Sequence, residues 1–120
     1  YFIRGIQLAQ NRDYAAAIAE FLKASKQDVA DDEGKRNRLM ALYQLGRASV
    51  LGKTEPQQGI DALKAFLADG SMTDFNEWAQ LRLSQLYLAQ EQRQQAEAIL
   101  KPLLATTLDD KLKSEIKKIL

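Results

Sequence analysis

Apolar residues recur along this chain at intervals of three and four, the period that gathers them on one side of a helix. Tyr14, Ala17, Ile18, Phe21, Leu22 and Ala24 mark one such face, and Leu112, Ile116, Ile119 and Leu120 mark another near the end. No stretch alternates apolar and polar residues long enough to suggest a strand. β-Branched residues never cluster, and the good helix formers Ala, Leu, Gln, Glu and Lys fill most positions. The pattern predicts an all-α chain.

Breaks and caps place seven helices. The first runs from the start to about Gln10, and the second from about Asp13 to about Asp28. Asp28 to Gly34 reads as an acidic loop, followed by a third helix from about Lys35 to Leu51, with Gly52 as its left-handed closing residue. Thr54 and Gln57 have capping-box spacing, with Pro56 in the first turn, and open a fourth helix ending near Ala68 before Gly70. Asp74 with Glu77 opens the fifth, which reaches about Gln90. The sixth covers about Arg93 to Thr106, where Pro102 should bend it or shift its last turn. Thr107 with Asp110 caps the seventh.

A repeat runs through these helices. A small residue in one helix is followed 12 or 13 positions later by a small residue in the next: Gly5 and Ala17, Gly46 and Gly59, Ser84 and Ala96. Four residues beyond each pair stands a larger apolar residue, Phe21, Leu63 or Leu100, and seven beyond stands Ala24, Phe66 or Leu103. Paired helices that lack side chains where they face each other approach more closely than the usual ~8–10 Å. Each hairpin then keeps one apolar face that only the next hairpin can cover.

These residues resemble the tetratricopeptide repeat. Arg12-Asp13-Tyr14, then Ala17-Ile18, Phe21 and Ala24, match the turn and second helix of that motif, with Gly5 and Leu8 fitting its first helix. Leu45-Gly46 carries the family's Leu-Gly pair, and Leu83-Ser84 with Tyr87 and Ala96 repeats it more loosely. The resemblance implies a right-handed α-α superhelix, a solenoid of about three helical hairpins at residues 1–34, 35–72 and 73–107, plus a C-terminal helix at 108–120. The repeats are stretched beyond the family's ~34 residues, and the closing proline is absent, with Val29 in its place in the first repeat. The second has an extra residue in its turn and Phe66 where Ala is usual, and leans toward the related, longer Sel1-like repeats.

In such arrays the first helix of each hairpin lines a concave groove. The resemblance therefore assigns Met40, Tyr43, Gln44 and Arg47 to that groove from the second repeat, and Trp78, Leu81, Arg82 and Gln85 from the third, with Phe2 and Ile6 from the first. Spacing at i, i+3, i+4 and i+7 agrees with each group of four. Aromatic and arginine side chains together are typical of binding hot spots. Members of the family that hold the acidic tails of heat-shock chaperones use a clamp of Lys and Asn residues with one Arg. The matching positions here are Phe2, Ile6, Gln44, Trp78 and Arg82, and only Arg82 agrees, so a chaperone-tail adaptor is not expected.

Composition narrows the chemistry. The 120 residues contain no Cys and no His, which removes thiolate nucleophiles, disulfides, imidazole bases and Cys/His metal sites. Seventeen basic residues against 16 acidic ones give a net charge of +1, a balance that argues against nucleic-acid binding. Asp31-Asp32-Glu33 and Asp109-Asp110 read as helix-cap acids rather than a catalytic or cation site. Lys111, Lys113, Lys117 and Lys118 are interleaved with acids and read as an exposed helix face. No stretch has the ~18 apolar residues of a membrane span. Tyr1-Phe2-Ile3-Arg4-Gly5 reads as the inside of a helix, as in a segment of a longer protein.

The sequence thus points to a protein-interaction scaffold without catalysis or cofactor, whose partner is a peptide or helix carrying an acidic group received by Arg47 and Arg82. Self-association through the apolar end at Tyr1-Phe2-Ile3, giving a homo-oligomer, and a spacer role inside a larger or cell-envelope protein are the alternatives. Cytoplasm and periplasm are equally compatible.

Overall fold

Helix-forming segments separated by short breaks become seven α-helices in the computed structural model, which describes residues 1–120. They are α1 (Phe2–Gln10), α2 (Tyr14–Ser25), α3 (Asp32–Gly52), α4 (Pro56–Asp69), α5 (Thr73–Ala89), α6 (Arg93–Thr106) and α7 (Asp110–Ile119). Each packs on the next in sequence, and α1, α3, α5 and α7 also touch in succession, whereas α2, α4 and α6 do not touch one another. The even-numbered helices therefore fill the gaps between odd-numbered ones. The radius of gyration is 14.1 Å over extents of 37 × 28 × 22 Å, close to the ~13.6 Å of a compact chain this long.

The small residues sit where the helices meet. Gly5, Ala17, Gly46, Gly59, Ser84 and Ala96 are all buried. A methyl added to Gly5 would lie 2.6 Å from the Phe21 ring, and one on Gly46 would overlap the Leu63 side chain. Phe21 and Leu63, four positions past the first two pairs, are thus what the missing side chains make room for. Three clusters follow: Ile18, Phe21 and Leu45 between α1, α2 and α3; Tyr43, Leu63, Phe66 and Leu83 in the middle; Leu81, Leu100, Leu103, Leu112 and Ile116 where α7 covers α5 and α6.

The turns inside the three hairpins repeat one backbone design. Asp13 N donates to Leu8 O at 2.9 Å, Thr54 N to Ser49 O at 3.3 Å and Gln92 N to Tyr87 O at 2.8 Å. Each bond spans five residues and closes a helix end in the Schellman manner. Four residues after each acceptor stands a left-handed residue: Arg12 (φ 63°), Lys53 (φ 51°) and Glu91 (φ 61°). The acceptors are 41 and 38 residues apart, the separations of Gly5, Gly46 and Ser84. The extra residue of the second turn is Glu55, also left-handed at φ 50°.

Several predicted boundaries are corrected. Gly52 lies inside α3, and Lys53 takes the left-handed position. α3 begins at Asp32 because the Asp31 carboxylate accepts from Gly34 N at 2.7 Å, so the acidic stretch caps the helix instead of extending the loop. α2 ends at Ser25, short of Asp28. The Thr54–Gln57 capping box does not form, since Glu55 occupies the cap position and Gln57 instead donates to Asp61 at 2.9 Å. α5 starts at Thr73, after Met72, with no side-chain cap. α7 is capped by Asp109, which accepts from Leu112 N at 3.1 Å, and not by Thr107. The bounds of α6 are those expected, Arg93–Thr106, with Pro102 inside the helix and Thr106 Oγ1 donating to the Pro102 carbonyl at 3.0 Å.

Candidate functional site

The helices that carry the two predicted groups of residues, α3 and α5, pack against each other. Of the second-repeat group, Arg47 is exposed, and Met40 and Gln44 are partly so. Tyr43 is 8% exposed, with its ring 5.5 Å from that of Phe66 and 5.3 Å from that of Phe75. It braces the face from beneath rather than lining it. Of the third-repeat group, Arg82 and Gln85 are partly exposed and Leu81 is buried against Leu100, Leu112 and Ile116 by α7. Trp78 packs between the middle and last clusters, and its indole N–H donates to Asp109 Oδ2 at 3.3 Å. In the first repeat, Phe2 stacks 6.0 Å from Phe21, and Phe2 and Ile6 pack on the first core cluster.

Arg82 is the unusual member. Its Nη1 donates to Gln85 Oε1 at 3.3 Å, while its Nε is buried without an acceptor, the one such side-chain atom in the molecule. Burial lowers its pKa from the ordinary arginine value; Tyr43 and Glu115 oppose the shift and Arg47 adds to it. Burial likewise raises the Tyr43 hydroxyl, with Arg82 and Arg47 opposing. The mutual influence of the two arginines places like charges near each other around one tyrosine.

No carboxylate neutralises them. The four ion pairs are Lys23–Glu20, Arg93–Glu97, Lys101–Glu97 and Lys118–Glu115, so neither arginine is engaged. Glu115, the nearest acid by its effect on Arg82, is held 3.5 Å from Lys118. Leaving a buried donor unmatched costs ~1–3 kcal/mol, more when it is charged. The guanidinium as a whole is only partly buried, so its outer edge still faces solvent.

Arg82 lines one hollow, and Gln85, which it holds, lines that one and a second. The first, of about 200 Å³, lies between α5 and α7 and is lined by Trp78, Leu81, Arg82, Gln85, Lys111 and Glu115. The other, of about 560 Å³, lies at the turn ends of α3 and α5, among Val50, Lys53, Pro56, Gln85, Leu86 and Leu88. Lys111, Glu115, Val50, Lys53 and Leu88 were not anticipated. The helical ladder that joins Met40 to Arg47 continues to Val50, and that from Trp78 to Gln85 continues to Leu88, so those two were within reach of the spacing rule. The α7 residues were not, because nothing local says where a terminal helix folds back.

No group of His, Cys, Asp or Glu side chains converges as a metal site, and no helix is long and apolar enough to cross a membrane. A scan against family models finds no match, and searches among curated proteins and solved structures find none either. The functional reading therefore rests on the geometry of the α3–α5–α7 face.

Proposed function

We propose that the chain is a protein-interaction scaffold of stacked helical hairpins, similar to a short tetratricopeptide array, that binds a partner peptide or helix along the α3–α5 face without catalysing a reaction. The odd-numbered helices would form the inner, concave row of a right-handed superhelix, with α7 closing its end. The observation that carries this reading is the partly exposed guanidinium of Arg82, in no ion pair and with its Nε unmatched, beside an exposed and likewise unpaired Arg47. A guanidinium offers a rigid fork of donors suited to a carboxylate, and the rows around it carry the apolar anchors Met40, Trp78 and Leu88.

Selection of peptides from a random display library on the whole chain tests the proposal, with the Arg47→Glu/Arg82→Glu double variant as counter-target. The expected result is a set of peptides that bind the wild type and lose binding to a variant of unchanged helical circular dichroism. Peptides retained equally by both proteins, or no peptide at all, would sink it.

A second reading is favoured by the other end of the molecule. Tyr1 and Ile3 are 59% and 72% exposed, beside a hollow of about 270 Å³ between α1 and the start of α3. Two copies could bury these ends against each other. Sedimentation over a concentration range separates the readings, since self-association through Ile3 makes the mass rise with concentration and Ile3→Glu abolishes the rise.

A further inference from the structure

The two hollows share a wall. Gln85 lines both, and its side-chain oxygen is held by Arg82, so the residue that separates them is itself fixed by the guanidinium. On one side of Gln85 lies a cationic notch with Arg82 and Lys111 at its surface; on the other lies the larger, more apolar hollow with Val50, Leu86 and Leu88. Building on the groove reading above, we propose that the two hollows read one partner segment together: an Asp or Glu side chain on Arg82 in the notch, and a large apolar side chain in the hollow beyond Gln85.

The notch suits a single carboxylate. The exposed edge of the Arg82 guanidinium and Lys111 offer charge-assisted donors, while Glu115 in the same wall repels a doubly charged phosphate more strongly than a singly charged carboxylate. Spacing follows from the helix. Arg82 and Leu88 are six residues apart on α5, or about 9 Å along its axis at ~1.5 Å per residue. A partner in the polyproline II conformation advances ~3.1 Å per residue and returns a side chain to the same side every third residue, which sets the acidic and apolar residues about three positions apart.

Ten-residue synthetic peptides test this, with acetylated and amidated ends so that no terminal charge contributes. Each carries one Glu and one Leu, two, three or four positions apart and in either order, on a neutral background. They are titrated into the whole chain and followed by the emission of Trp78, the only tryptophan. The expected result is saturable binding that peaks near a spacing of three and weakens at least tenfold when Glu becomes Gln or Leu becomes Ala in the peptide. An Arg82→Gln chain should bind the Glu and Gln peptides equally; the comparison of the two peptides on the wild type does not depend on how that variant folds. Equal binding of the Glu and Gln peptides to the wild type, or no response from any of the series, overturns the proposal. Groove-dependent peptides from the display selection that lack an acidic and apolar pair would overturn it too while leaving the scaffold reading intact. Failure of the selection itself would remove the scaffold reading.

Discussion

At Gly46 the absence of a side chain is itself the contact. Leu63, fully buried, occupies the space a methyl would need. Gly46→Leu should therefore cost several kcal/mol, at or above the ~1–3 typical of overpacking. Gln57→Ala removes only an exposed bond to Asp61 and should cost a few tenths of a kcal/mol. Urea unfolding of the two variants checks the ranking. Tyr43 adds a dependence on pH. Its folded pKa is raised above the ordinary 10.0 by burial, so near and above pH 10 the unfolded chain gives up the proton that the folded chain keeps. Its contribution is whole below about pH 10 and is lost as pH climbs from there through the folded value. Tyr43→Phe should make the alkaline fall in stability shallower, as measured by thermal melts between pH 8 and 11.

Among the elements, α7 is seated by the buried Leu112 and Ile116 and tied further through one polar side chain. Asp109 caps it through Leu112 N and also accepts from the Trp78 indole, thereby tying the helix to α5. Asp109→Ala should cost the ~1 kcal/mol of a cap and shift Trp78 emission, whereas Asp110→Ala, one residue on and without such bonds, should leave the emission unchanged. Fluorescence-detected unfolding reads both. The other helices were legible in the sequence because their apolar residues keep a helical period, and the small-residue pairs were legible because close approach demands them. The caps were less so. Asp31 and Asp109 cap α3 and α7, as their reading as helix-cap acids had it, but the caps assigned to Thr54 and Thr107 do not form, because several polar residues near a helix start can each serve and only the chain's entry angle chooses among them. Lys53 holds a left-handed position that local preference gives to Gly52, since Gly52 is needed inside α3: a methyl there would lie 2.5 Å from Tyr14 Cβ.

For the molecule as a whole, spacing could state which residues share a side of α3 or α5 but not what lies over that side. Tyr43 and Leu81 are on the anticipated faces, yet Phe66 and Phe75 enclose the first and α7 covers the second. Burial by a distant element leaves no local mark. The unmatched nitrogen of Arg82 is equally invisible in the sequence, because it depends on the absence of a carboxylate from every neighbouring helix. The pattern of contact has one more consequence. The odd-numbered helices meet as a continuous spine, and α2, α4 and α6 stand apart like ribs, with no rib braced directly against another. Each rib meets only its two flanking vertebrae, so a change of angle between two vertebrae would be taken up by repacking the single rib between them.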